Sequence, residues 1–420
     1  MQTEVDQNRW WMFCLSIVMF DSLFQYFLAN LAGFTLPINA LLPLLVVVGI
    51  YRFGAALVFP PMSTMIPVAI LLSGCLVGVA VVPESGMRNL FEMGTALSAL
   101  IIGYQAFRTG AYSNRSDSLV RWFLMIGLIY SAVCTVAILK LVPGLLPVHY
   151  SVGLREGVLV SRAEITTDQN FQIYYLFTSA FVLAAPFKIW RTLFAIAALL
   201  GAFFVVAKLQ TRSGAILLAM AITMSVFASL RLKAGGKAKL VIIPSLLLVL
   251  AYFGLDLVKS QGSELITRFQ EKEYETLYSR LFAAVFFFDK LTDLEYWMPQ
   301  GNAGYMARYG GLPHFTPAGF LLEGGILAVV GSFFAFYFPI FRLGTRYVLG
   351  RLNLVSCIAF VGGLVAIVAS LSLNALFFEH MWLWGGAVLG ALVRQFDSAS
   401  ANRSVVDESL YNIKPKLLQV

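Results

Sequence analysis

The chain has 420 residues, of which 59% are hydrophobic and 12% are charged, and its formal net charge is +8. Soluble domains have about 45–50% apolar and about 25% charged residues, so this composition excludes a soluble enzyme, a disordered chain and a nucleic-acid binder. Apolar runs of about 20 residues predict an all-α integral membrane protein. The four cysteines fall in apolar runs without metal-ligand spacing, so neither a zinc site nor a disulfide framework is expected.

Twelve apolar runs are long enough to be transmembrane helices. In chain order they cover residues 10–32, 36–58, 63–82, 88–107, 119–141, 169–187, 191–209, 213–231, 239–257, 314–339, 351–371 and 375–394. Basic residues cluster in alternate connections and near both ends, which predicts that both termini are cytoplasmic. Residues 1–420 are expected to form a single polytopic domain, with a polar cytoplasmic tail at residues 396–420.

Two long connections lie on the outer face in this topology, and long connections in compact proteins often carry function. The first covers residues 142–168, and the larger one covers residues 258–313 between spans nine and ten. In the larger connection, charge pairs at helical spacing precede an aromatic stretch at residues 281–288. That stretch is too short to span a bilayer, so it predicts a helix lying in the membrane interface.

Arg212 is the first candidate site residue, because arginine is scarce in short outer connections. It lies between the hydroxyls of Thr211 and Ser213, in the turn where the eighth span begins. The free N–H groups of a helix start favour an anion, and a guanidinium can hold a phosphate through two parallel hydrogen bonds. The alternative interpretation is a simple anchor to lipid phosphate.

Three further candidates lie in or beside the large outer connection. Arg280 stands where the charged helix meets the aromatic stretch and would complete a two-arginine clamp with Arg212, and Arg268 is a weaker candidate of the same kind. His314 lies at the entry of the tenth span, and an imidazole titrating near pH 6.5 suits a general base. The alternatives are an exposed ion pair for Arg280 and a boundary polar residue for His314.

Small and acidic residues between Arg280 and His314 give weaker signals. Gly301 and Gly304 would let the backbone approach a ligand closely, although an ordinary turn explains them as well. Asp293 and Glu295 have the spacing of a metal-binding acid pair. Such surface pairs are common, so no metal is expected.

These motifs resemble the O-antigen ligase/polymerase superfamily, which contains the Wzy-type polymerases and the WaaL-like ligases. The resemblance rests on the span count, on the large outer connection and on four short segments. These segments are Thr211–Gly214, the run from Arg280 to Tyr305, the run from His314 to Ile326, and Arg162–Asn170. The chain departs from the family pattern at Phe315 and at Gln169.

The resemblance implies a GT-C-type glycosyltransferase of the bacterial inner membrane with a periplasmic active site. The implied donor is a glycan on undecaprenyl pyrophosphate, and the transfer would be inverting and metal-independent, with no cofactor. Arg212 and Arg280 would hold the pyrophosphate while His314 deprotonates the acceptor. The implied substrate-binding residues are Thr211, Ser213, Arg268, Asn170, Gly301 and Gly304. Membrane lipid, a flippase and a chain-length regulator are the implied partners.

Three functions remain open at the level of the sequence. A polysaccharide polymerase, joining lipid-linked repeat units, is favoured over an O-antigen ligase, which transfers the glycan to lipid A–core. The reason is that short, imprecise motifs are typical of the more divergent polymerases. A transporter or flippase also suits twelve spans with both ends inside, and Asp21 could be its coupling residue. Transporters usually contain internal repeats, and none is visible here.

Overall fold

The computed structural model of the protein is almost entirely helical over the residues that it describes. These are residues 2–32, 38–81, 86–110, 116–139, 141, 149–155, 158–164, 189–209, 212–231, 274–301, 315–371 and 379–393. The helices are α1 Gln2–Ala32, α2 Leu42–Phe53, α3 Ala55–Val58, α4 Met62–Val81, α5 Gly86–Gly110, α6 Ser116–Ile138, α7 Ile189–Leu209, α8 Arg212–Arg231, α9 Tyr274–Lys290, α10 Thr316–Ser332, α11 Phe338–Val348 and α12 Leu354–Ser370. A last helix, α13, covers residues 379–393.

Four described helical segments are long and apolar enough to cross a membrane, and they support the prediction of a membrane protein. They are Met62–Val81, Leu90–Thr109, Ser118–Val136 and Thr316–Val348, at the third, fourth, fifth and tenth predicted spans. Shorter apolar helices occur at four other predicted spans, namely Leu42–Phe53, Ile196–Val205, Ile216–Ala228 and Leu354–Ser370. The predicted spans at 169–187 and 239–257, and the tail at 396–420, lie outside the described residues.

The second predicted span, residues 36–58, is wrong as a continuous helix. Gly54 has a φ of 86°, which interrupts the helix between α2 and α3, and two prolines follow α3. Pro60 and Pro61 end α3, which leaves the carbonyl groups of its last turn without partners in a continuing helix. The buried Gln105 of α5 donates from Nε2 to the carbonyls of Leu57 and Val58 in this turn. A side chain from a distant helix therefore stabilises the end of α3.

A β-hairpin in the first outer connection is the exception to the predicted all-α fold. Strand β1, His149–Arg155, pairs with β2, Val158–Glu164, in an antiparallel sheet. Only Glu156 and Gly157 connect the strands in the sequence, and a glycine in a two-residue connection is a known hairpin signal. The β-branched residues of β2 agree with this assignment.

The closest helix packing beside the candidate site joins α4 and α10. Glycines make this approach possible, because a Cβ on Gly78 would overlap the carbonyl oxygen of Glu323. A Cβ on Gly74 would lie 2.5 Å from the carbonyl oxygen of Gly324. Small residues at such interfaces let two backbones meet, as is typical of helices in membranes. The two helices thus form a rigid base for the segments that precede α10.

Helix α13 lies in the middle of the described part, and nearly all of its side chains are buried. Trp384 stacks on Phe123 of α6 with the ring centroids 5.9 Å apart. Gly386 lets α13 approach α5, since a Cβ there would overlap the carbonyl oxygen of Leu100. These contacts fix the helical core without contributing to the candidate site.

Candidate functional site

Helix α9 confirms the prediction of a helix in the large outer connection, and Arg280 lies within it. Ala283 and Phe287 are buried residues of α9, and Phe287 packs against the start of α10. Position 280 precedes them by three and seven residues, so the three positions follow one another along one face of the helix. The backbone register puts position 280 about two turns before Phe287.

The start of α10 contacts α9 directly, next to the position of His314. The rings of Phe287 and Phe315 meet edge to face with their centroids 5.7 Å apart. Phe315 is extended, and α10 begins at Thr316 with Pro317 in its first turn, where a proline is well tolerated. His314 itself lies outside the described residues, one position before Phe315. The contact thus joins the helix that carries Arg280 to the residue that follows His314.

Gly301 is attached to the same helix through its backbone. The N–H groups of Gln300 and Gly301 both donate to the carbonyl oxygen of Leu322, at 2.8 Å and 3.0 Å. In a regular helix this carbonyl would accept from the residue four positions later. It is available because α10 is interrupted at Gly325, where φ is 62° and ψ is −158°. A loop segment therefore replaces one turn of intrahelical hydrogen bonding.

The interruption at Gly325 also makes room for that segment. A Cβ at Gly325 would overlap the carbonyl oxygen of Trp297 and lie 3.0 Å from the backbone nitrogen of Pro299. The backbone conformation at Gly325 is one that residues with a side chain rarely adopt. Gly325 is thus required twice, for its backbone conformation and for its lack of a side chain. We call residues 297–301 with the Leu322–Gly325 turn the α10 joint.

Glu323 is a charged residue of the α10 joint, and the sequence alone assigns it no role. Its side chain is only 4% exposed, and it lies within the α10 joint at the contact with α4. The sequence does mark this residue, because Glu323 is the only charged residue from 315 to 341. An ionisable residue within a spanning helix is a functional hypothesis by default.

Arg212 and Arg280 lie in two different described helices, α8 and α9. Arg212 is the first residue of α8, as predicted, and Ser213 follows it in the same helix. Helix α8 packs chiefly against α12 and more lightly against α7. It also contacts α11, where the Tyr347 hydroxyl donates to the carbonyl oxygen of Met224 at 2.8 Å. The two-arginine clamp therefore stays a prediction.

The other candidate binding residues lie outside the described part of the chain. They are Thr211, Arg268, Asn170 and Gly304. Of the binding residues named from the sequence, Gly301 is the one with described contacts of its own, through the α10 joint.

The Asp293 carboxylate has a structural role that the metal-site alternative did not include. Its Oδ1 accepts a hydrogen bond from the N–H of Glu295 at 3.2 Å, and Oδ2 lies 3.6 Å from Nζ of Lys290. A hydrogen bond to Asp289, together with the nearby carboxylates, raises the pKa of Lys290 above its ordinary value. The acid thus caps a short helical turn and pairs with a cation.

Comparisons with models of protein families, with curated proteins and with solved structures gave no match for this chain. The residues and contacts of the chain itself are therefore the basis for its proposed function.

Proposed function

We propose that the protein is a glycosyltransferase of the bacterial inner membrane that uses a glycan carried on undecaprenyl pyrophosphate. As a polysaccharide polymerase, it would join lipid-linked repeat units on the periplasmic face. The proposal includes a GT-C-type fold of twelve spans with both termini in the cytoplasm. The observation that supports it best is the Phe287–Phe315 contact, which joins the helix of Arg280 to the residue beside His314.

The proposed chemistry needs a cationic grip and a base. The pyrophosphate leaving group gains negative charge as the sugar–oxygen bond breaks, and Arg212 and Arg280 would neutralise that charge. Contacts that strengthen in the transition state are the ones that accelerate the step. His314 would accept the proton of the acceptor hydroxyl as that oxygen attacks the anomeric carbon from the face opposite the leaving group. The transfer would therefore invert the configuration at this carbon.

The test of the base is the variant His314→Ala. Loss of a general base typically slows a reaction by about 10²–10⁴-fold, so transfer should fall by this amount in a reconstituted assay with a lipid-linked donor. Ser332→Ala is a matched control, because its buried hydroxyl bonds the carbonyl of Val329 within its own helix region. Wild-type turnover in His314→Ala would remove this residue from the mechanism.

Chelation gives a second test of the same chemistry. Arginine carries a permanent charge, so a two-arginine clamp can stabilise the leaving group without a divalent cation. We expect transfer to continue unchanged in excess EDTA. A large loss that magnesium restores would instead favour a metal held by the acid pair Asp293 and Glu295.

A ligase and a transporter are the competing functions. The ligase would use the same donor with lipid A–core as acceptor, and a deletion strain separates it from a polymerase. Single repeat units on the surface would indicate a lost polymerase, whereas polymer retained on the carrier lipid would indicate a lost ligase. A transporter gains support from the interrupted α10 with its buried Glu323, because carriers often bind their substrates at broken helices.

Proteoliposomes with a labelled lipid-linked glycan separate the enzyme from the transporter. Growth of the glycan chain without net movement of the lipid across the bilayer supports the enzyme. Movement of the lipid without chain growth would reject the proposed function in favour of a carrier.

A further inference from the structure

Helix α9 has two apolar faces, and among the residues that the structure describes only one of these faces is buried. Phe286 and Phe287 are buried against the start of α10. Phe282, Val285 and Phe288 form a second row at a spacing of three residues, and each is more than half exposed. A surface helix in water normally presents polar residues on its outer face. The exposed row therefore indicates an environment other than bulk water.

The exposed row continues into the turn that follows the helix. Leu294, Trp297 and Met298 are all exposed, with Leu294 reaching 73%. The indole N–H of Trp297 donates to the carbonyl oxygen of Leu291 at 3.0 Å, so its polar atom is satisfied while its ring is open. We call the two exposed groups together the aromatic face, formed by Phe282, Val285, Phe288, Leu294, Trp297 and Met298.

Charged residues are concentrated where the helix ends and the turn begins. Nζ of Lys290 lies 3.3 Å from Asp289 and 3.6 Å from Asp293, and it lies 5.2 Å from the ring centroid of Tyr296. Glu295 is exposed in the same turn. The aromatic face thus has a charged group beside it, which is the composition of a segment at a membrane–water boundary.

The aromatic face is placed next to surface that would face lipid. Helix α9 packs against Ala318, Leu321 and Leu322 of α10. Farther along the same continuous apolar stretch, Leu327, Val330 and Phe333 are exposed. The exposed row of α9 thus lies beside the end of α10 that precedes this exposed apolar surface.

We propose that the aromatic face of α9 is a membrane-contact surface that inserts into the headgroup–acyl boundary at the end of the bilayer where α10 begins. Its occupant is lipid, because the face is continuous with the exposed apolar side chains of a helix long enough to span. A second copy of the chain or open water are the alternatives that an experiment must exclude. This inference does not depend on the proposed enzymatic function.

Spin labels read out the environment of each position. The native cysteines Cys14, Cys75, Cys134 and Cys357 are buried, so a cysteine-free background is made first by alanine replacement. Single cysteines at positions 282, 285 and 288 are then labelled in phospholipid nanodiscs, with Asp289→Cys as the neighbouring polar control. At the three apolar positions the spin label should collide more often with oxygen, which dissolves in lipid, than with a water-soluble nickel chelate. At position 289 the label should collide more often with the nickel chelate.

Two results would overturn the proposal. High access of the nickel chelate at the apolar positions would indicate water, and low access of both reagents with dipolar broadening would indicate a second copy of the chain. Each of the three labelled positions can give either result, so one successfully labelled position is enough to test the proposal.

A second measurement covers the case in which the cysteine-free protein does not fold. The chain has seven tryptophans, and the difference between wild type and Trp297→Phe isolates the emission of Trp297. In nanodiscs with lipids brominated near the headgroup end of the acyl chain, that emission should be lost more strongly than with bromine near the chain terminus. Equal or absent quenching at both depths rejects the lipid contact.

Discussion

Replacing Arg280 with alanine is expected to lower the rate of glycan transfer by about 10²–10³-fold, and Arg212→Ala should have an effect of the same size. Removing one stabiliser of developing negative charge typically has this effect, which corresponds to about 3–4 kcal/mol of transition-state stabilisation. The measurement is chain growth from a lipid-linked donor with purified, reconstituted protein. The loss should appear in kcat, since the charge that the guanidinium meets forms during the reaction.

A lysine variant tests whether the shape of the guanidinium matters in addition to its charge. Lysine keeps the positive charge but cannot present two parallel donors, so Arg280→Lys should recover only part of the lost rate. Arg52→Ala is a matched control, because Arg52 is an exposed arginine at the end of α2 on the predicted cytoplasmic side, where it lies 5.4 Å from the ring centroid of Phe53. Its rate should equal that of the wild type.

The double variant tests whether the two arginines act on the same group. If Arg212 and Arg280 hold one diphosphate, the two losses should not add, because residues that act as a unit are strongly coupled. Strictly additive losses would indicate two separate sites. Full activity in either single variant would remove that arginine from the clamp, and this outcome bears directly on α8, whose described contacts are with α12, α7 and α11.

The helices that the sequence predicts best are those with uniform patterns. The runs that became α4, α5 and α6 are about 20 residues long and mostly apolar, and a run of this length and composition in a membrane forms a helix. Helix α9 was predictable from charge spacing followed by aromatic residues, and Tyr274–Lys290 confirms it. In each case the information lies within one short window of sequence.

The interruptions were not predictable in the same way, because their partners are distant in the chain. The end of α3 before Pro60 and Pro61 is visible in the sequence, but the hydrogen bonds that Gln105 donates to the carbonyls of its last turn are not. In the sequence, Gly324 and Gly325 would equally be explained as small residues that let two helices pack closely. Only the segment around Trp297, which packs against Gly325, explains the turn. Local sequence cannot encode a contact that forms only after the chain has folded.

The candidate site stays a prediction, and what the structure describes is the packing of the elements that carry some of its residues. Arg280, Gly301 and the residue after His314 belong to α9, the α10 joint and the start of α10, which contact one another. The burial of Glu323 could not be predicted, because it depends on the packing of α4 against α10, which the local sequence does not show.

Replacing Gly325 with alanine is expected to destabilise the protein by roughly 2–6 kcal/mol. About 1–3 kcal/mol comes from holding a residue with a side chain at a φ of 62° and ψ of −158°, and about 1–3 kcal/mol from overpacking against Trp297 and Pro299. The α10 joint should open as a result, because the added methyl group occupies the position of the Trp297 carbonyl. Thermal unfolding in detergent measures the loss.

Gly94→Ala is the matched control for this variant, since a Cβ at Gly94 of α5 meets no atom within 4 Å. Alanine is favoured over glycine in a helix by about 1 kcal/mol, so this control should be neutral or slightly stabilising. Hydrogen exchange supplies the specific readout, because the N–H groups of Gln300 and Gly301 should lose protection in Gly325→Ala and keep it in Gly94→Ala. Unchanged stability together with unchanged protection in Gly325→Ala would mean that α10 is not held open by residues 297–301.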